Sequence, residues 1–519
     1  MKKIEERKVR KRRAFQLGSC LIALPVIAGY LLFKDCGLPA IGLQQPNSQA
    51  NISPPKAAYK EASFPQYTAR DIKTQIDVGP IDIHRKYRSM EGPYVIQKFR
   101  IGDLIASKNI GVPGSRIVYL DGPDAKAPGM SPGMTAPSGG GSNSSKSGDT
   151  SNGGKAYEDI KGLVDTADSE PELYWFRGIK LQVLDENAKP LPTGEFICHL
   201  NIDVDQVARF ATFPELERTG NSRIITLTQG QTEFHFPEPY AIPVATDEEW
   251  TFTFQAANRT TTEHRVLKHR CTLIFSKDSE LPKPLKALHW YNPYVAVEVD
   301  PAGERPEHHG PGCLALSKGV SAENMVANTE FKDPKGRTLS GHWTVPPGLH
   351  KYQTPVVQSV EPEFGKEDRK IHAVWTHVHP ACTSASLLRC NAFKQEKIFK
   401  VNVSTTYKAG PELKHIDNIL SKEGIDLPAG DNYELSAIYE NPENHNIDSM
   451  VATGIFCESS RFVKPEFSEG AEASTGKSSE AEKQKRMAKD KLSKDAAGKG
   501  CNDLYCGIKP ARAKTDKSP

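Results

Sequence analysis

His377 and His379 stand two residues apart in the run Ile371-His372-Ala373-Val374-Trp375-Thr376-His377-Val378-His379. In an extended strand, residues i and i+2 point to the same face, so both imidazoles can reach one metal ion. Met450 follows in a second strand-like run, Asp448-Ser449-Met450-Val451-Ala452. Two imidazoles with one thioether form a soft donor set that suits copper, Cu(I) above all, rather than zinc or calcium. His372 has the other parity in its run and is expected to point away from such an ion. Taken alone, Met450 reads as core filler; beside the His-X-His it reads as a ligand.

A second pair of donors is Cys198-His199, in Phe196-Ile197-Cys198-His199-Leu200-Asn201. Neighbours on a regular strand face opposite ways, so these two can meet one ion only across a β-bulge. The alternative, a buried thiol beside a hydrogen-bonded histidine, stays open, and a metal there would need a further ligand such as His269. His342, in Gly341-His342-Trp343, is a candidate either as a copper ligand or as a neighbour that orients one. His308-His309 lies in a Gly/Pro-rich stretch and reads as a polar loop. The chain has no GxSxG, P-loop, HExxH or strand-linked GxGxxG signature.

The elements that must hold these residues read as strands. Short β-branched and aromatic runs, among them Leu173 to Phe176, Phe196 to Val204, Arg223 to Leu227, Trp250 to Ala256 and Cys271 to Phe275, alternate with turn residues, and the same texture returns from His342 to Phe456. No long amphipathic helical period appears between 170 and 460. The expected fold is all-β, with two consecutive jelly-roll-like β-sandwich domains at 170–280 and 341–464 joined by a connector at 281–340. Before them come a basic flank and membrane anchor at 1–33 and a tether with a partly ordered region at 34–169, whose segment 122–156 is of low complexity. A solvated, Lys/Ala/Ser/Glu-rich tail fills 465–519.

The basic cluster Arg7 to Arg13 precedes an uncharged stretch from Ala14 to Phe33, long enough to span a bilayer. The basic flank keeps the N-terminus cytoplasmic and sends the remainder across, periplasmic in a bacterium, or secreted where the segment is cleaved. Arg12-Arg13 also resembles a twin-arginine export signal. Export places Cys198, Cys271, Cys313, Cys382, Cys390 and Cys457 where disulfides persist. Lys and Arg number 67 against 64 Asp and Glu, a net charge of +3. That balance, with no aromatics interleaved among basic clusters, argues against a nucleic-acid partner.

At this point residues 170–460 resemble the type II copper, ascorbate-dependent monooxygenases, the family of peptidylglycine alpha-hydroxylating and dopamine beta-monooxygenases. Val345-Pro346-Pro347-Gly348, His377-Val378-His379 and Asp448-Ser449-Met450 fall in that family's order. The resemblance implies that His377, His379 and Met450 hold the copper that activates oxygen. Cys198-His199 falls where the family carries a His-His pair for a second, electron-donating copper. The last histidine of that second site is missing near Ala257, so one copper is expected. Two functions follow. One is a membrane-anchored copper oxidoreductase acting on a small-molecule or peptide substrate with an external electron donor. The other is a non-catalytic copper-binding or interaction module.

Overall fold

The computed structural model describes residues 71–87, 92–117, 119, 170–191, 194–217, 222–259, 263–299, 330–332, 336–356, 363–391, 394–408 and 410–467. Over these residues the chain is all-β, with two short α-helices, Ile101–Ser107 and Gln206–Thr212. Among them no helix is long and apolar enough to cross a membrane. The expected anchor at 14–33, the low-complexity segment 122–156, His308-His309 and the tail after 467 lie outside the described residues.

One long sheet organises the molecule. Its order is Ile419–Leu427, Arg369–Val378, Val451–Glu458, Lys286–Tyr291, Tyr240–Ala245, Leu173–Leu184, Arg265–Lys277, Asp71–Ile83 and Asn109–Pro113. A four-stranded sheet (Tyr94–Arg100, Glu249–Ala256, Ile197–Val204, Arg223–Thr228) covers one part of it. A five-stranded sheet (Gly348–Pro355, Asn432–Asn441, Cys382–Cys390, Gln395–Thr406, Glu412–Ile416) accompanies the other. Two main hydrophobic cores result. The first holds Phe176, Leu200, Trp250 and Phe275; the second holds Val345, Leu387, Val401 and Leu435.

Two boundaries differ from those expected. Asp71–Ile83 and Tyr94–Arg100 belong to the first core, pairing with Arg265–Lys277 and Glu249–Ala256. The stretch assigned to a connector begins with Lys286–Tyr291, which sits inside the long sheet between Val451–Glu458 and Tyr240–Ala245. Among the described cysteines no two are joined to each other, Cys271, Cys382 and Cys457 are buried thiols, and Cys313 lies outside the described residues.

The strand Arg369–Val378 is buried on both faces, which is why it reads as a nearly continuous apolar run. A bulge at His372 resets its alternation. Beyond it, Ala373 and Trp375 enter the first core, while Val374 and Val378 enter the second. The Trp375 indole donates to the Ile224 carbonyl at 3.0 Å, tying this strand to the four-stranded sheet. The turn at Gln229-Gly230 makes a second tie. Gly230 has φ +84°, and a Cβ there would meet the His415 amide nitrogen at 3.3 Å, so glycine fits where the Ile416 amide donates to the Gly230 carbonyl.

Gly454 lies opposite Trp375 on the neighbouring strand. A Cβ at this position would stand 1.9 Å from the Trp375 indole nitrogen. Gly454→Ala is therefore expected to displace the indole, break its bond to Ile224 and destabilise the protein by about 3 kcal/mol, the upper range for overpacking. Denaturant unfolding followed by tryptophan fluorescence checks this; a midpoint matching wild type rejects the packing described.

Candidate metal centre

His377 lies near the end of Arg369–Val378, opposite Ala452, and His379 follows directly after that strand. Their rings stand 5.5 Å apart, edge to face. Met450 sits between the strands Ile447–Ser449 and Val451–Glu458 and is fully buried. Its carbonyl accepts hydrogen bonds from the Tyr439 hydroxyl at 2.8 Å and the His379 amide at 3.3 Å, which fixes the backbone under its thioether. His372 is placed elsewhere. Its ring stacks on Tyr240 at 3.7 Å, and its Nδ1 donates to the Ser421 carbonyl at 2.8 Å.

The strand Ile197–Val204 carries a bulge at Cys198, where Ile197 pairs with Ala256 and His199 with Gln255. This is the irregularity that the adjacent Cys198 and His199 require to share surroundings. Cys198 packs against Met450 and Ala257. His199 faces His377, with ring centroids 6.1 Å apart. Neither residue forms a separate centre with His269, whose Nε2 donates to the Phe196 carbonyl at 3.2 Å.

His342 completes the group, its ring 5.3 Å from that of His379. Asp448 joins the two. Its carboxylate oxygens lie 2.9 Å from His379 Nδ1 and 3.4 Å from His342 Nδ1. A carboxylate on one ring nitrogen fixes the tautomer and turns the other nitrogen toward an ion. Sequence pattern alone assigns Asp448 no role beyond the triplet ending in Met450. Its signal was the acidic residue two positions before a candidate ligand. Burial alone would raise the Asp448 carboxyl, but the charges and hydrogen bonds of His379 and His342 outweigh it and hold the group well below the usual carboxylate range.

Burial pushes His199 down to about 3, reinforced by the Arg223 guanidinium and by His379 and His342. His377 is driven well below its ordinary value by burial and then by its three histidine neighbours. Arg223 is itself held by Asp203 in a two-point ion pair, at 3.0 and 3.2 Å. Both histidines are therefore neutral near pH 7, the form that binds metal.

His199 Nδ1 and Nε2 and His377 Nδ1 are sealed from solvent without a hydrogen-bond partner. Buried polar atoms are rarely left so. An imidazole that binds an ion at about 2 Å has its centroid about 3 Å from it, so rings sharing a tetrahedral ion lie about 5 Å apart. The observed 5.5 and 6.1 Å are slightly wider. Among the described residues, no three His, Cys, Asp or Glu side chains converge on one ion as they stand. Imidazole and thioether are the donor types that suit copper.

No protein-family model matches the chain, and no curated protein is similar to it. Among solved structures, it is similar to a chain in the atomic structure of Sulfolobus Turreted Icosahedral Virus. That match has 8% identity and a TM-score of 0.15, and covers 56% of this chain and 55% of the viral one. The chain thus spans about half the length of that viral protein, and a likeness of this degree carries no argument about fold or function.

Proposed function

We propose that this chain is a membrane-anchored, extracytoplasmic protein that binds one copper ion through His377, His379 and Met450. The observation that carries the reading is the burial together of His377 and His199, whose ring nitrogens are incompletely hydrogen-bonded, beside His379 and a methionine packed at the same depth. We read the two cores as two jelly-roll-like sandwiches that share the long sheet, an arrangement in keeping with the resemblance to type II copper monooxygenases. The N-terminal segment 14–33 would serve as the anchor, with no nucleic acid as partner.

When bound, copper would supply redox chemistry. The chain's own residues would hold it, orient it through Asp448 and exclude water. In the oxidoreductase reading, an external donor supplies electrons and a small molecule or peptide is oxidised with oxygen. A specific observation favours the non-catalytic alternative. Ala257, where the resembling family carries its last electron-site histidine, is 1% exposed and packs against Cys198 and Met450. Ala257 itself offers no donor for a second copper.

A Cu(I) competition titration tests the reading. Wild type is expected to take up one Cu(I) in preference to Zn(II). His377→Ala should weaken binding by more than about 100-fold, beyond the loss typical of an outer-shell partner. His372→Ala should change it by less than about threefold, because that ring is committed to Tyr240 and Ser421. Met450→His should erode the preference for Cu(I). A wild type that binds no copper, or a His372→Ala that loses it while His377→Ala does not, rejects the assignment.

A further inference from the structure

His199 belongs to the four-stranded sheet of the first core, whereas His377 lies on a strand that borders both cores, His379 follows that strand directly and Met450 immediately precedes its neighbour Val451–Glu458. Its imidazole is 2% exposed, and neither ring nitrogen has a hydrogen-bond partner. Among the other buried histidines, His269 bonds the Phe196 carbonyl and His372 that of Ser421, each through one ring nitrogen, while His289 has the Glu217 carboxylate 3.8 Å away. Leaving such a group unsatisfied is costly, so the sequence retains an uncompensated imidazole aimed at His377. The neighbouring Cys198 packs on Met450, so the same bulged segment also seats the thioether.

We infer that His199 is a further ligand of the copper held by His377, His379 and Met450, so that one ion is bound between the two cores and fastens the first to the second. This rests on the copper reading above and deepens it in two ways. The ion becomes a cross-link between residues far apart in the chain, so copper controls how firmly the strands Ile197–Val204 and Arg223–Thr228 dock on Arg369–Val378. Four protein ligands also leave no open coordination position, the mark of a holding site rather than a reaction site.

The test combines Cu(I) titration with hydrogen-exchange mass spectrometry on the full-length, detergent-purified chain. Wild type should bind one Cu(I), and copper should slow exchange in 197–204 and 223–228 as well as in 447–458. His199→Ala should lower the affinity about tenfold or more and abolish the copper-dependent slowing in 197–204 and 223–228, while that in 447–458 persists. His199→Gln, which keeps a polar side chain of similar bulk, should behave alike and guards against a folding defect in the alanine variant. If wild type binds one Cu(I) and His199→Gln keeps both its affinity and its exchange pattern, the inference is overturned and the copper reading stands. Two Cu(I) per chain overturn it as well, by placing His199 in a second site. No Cu(I) at all overturns both.

Discussion

Glu217→Ala is expected to destabilise the protein by about 3–5 kcal/mol, the usual cost of removing one partner of a buried ion pair. Glu217 is 4% exposed and gathers three other segments. Arg369, at the start of the strand that carries His377, donates to its carboxylate at 2.9 Å. The Ser459 hydroxyl and the Ser460 amide, just past the strand Val451–Glu458, also donate to it. His289, on Lys286–Tyr291, lies 3.8 Å away. Alanine would leave the Arg369 guanidinium buried with only Glu367 as an acidic partner, at 2.6 Å and nearer the surface. Most of the loss is the penalty of an uncompensated charge, not the worth of the pair. Glu217→Leu combined with Arg369→Met is therefore expected to recover a substantial part of the stability. Denaturant midpoints for the three proteins decide it: a Glu217→Ala within about 1 kcal/mol of wild type would show that the cluster is not tightly desolvated.

The β character of the chain was legible because its central strands are buried on both faces. Ile197–Val204, Arg223–Thr228 and Val451–Glu458 present few exposed positions, so each reads as a short apolar run. Asp71–Ile83 was not legible. Its buried positions are diluted by Asp, Lys and Gln and interrupted at Gly79-Pro80, and its partner strand lies nearly two hundred residues away. Local patterning contains no information about such pairing. Lys286–Tyr291 was missed for a similar reason: a six-residue strand in a Pro-flanked stretch is recognisable only once Val451–Glu458 and Tyr240–Ala245 stand beside it.

The candidate site divides in the same way. The period of two in His377-Val378-His379 is a local property and could be read directly. The approach of His199 could not, because it depends on a bulge at Cys198 and on the packing of Arg223–Thr228 against Arg369–Val378. By sequence alone, Cys198-His199 stands apart as a possible second centre. In the folded chain the bulge and the shared strand bring them to the first. The bulge at His372 likewise decides which core each residue of that strand enters, and no propensity marks it.

Acid is expected to unfold the metal-free chain well above the range in which its carboxylates titrate. His269 is 1% exposed, packs on Phe254 at 4.3 Å and is pushed down to about 3 by burial, against a smaller opposing effect of its bond to Phe196. His289 is fully buried and also held low. Burial dominates there, Glu217 opposes it, and Arg369 and Arg461 reinforce it; the Tyr291 ring packs against it edge to face. Both groups have folded values below the 6.5 of an exposed histidine, so the unfolded chain takes up protons first as pH falls. Stability is then complete above about pH 7 and is lost progressively from 6.5 down toward 3. By linkage, each such histidine costs at most about 2 kcal/mol at pH 5. His199 and His377 stand in the same condition without metal and add to the slope. Between pH 6.5 and 5 ordinary carboxylates stay ionised; Glu248 and Glu195, raised by burial, act with the opposite sign, so the buried histidines set the direction of the slope. Unfolding free energies measured at half-unit steps from pH 7.5 to 5 should fall steeply, and His269→Asn should flatten the curve while lowering its plateau at pH 7.5. A wild-type curve that is level across that interval would mean that these imidazoles are reached by water.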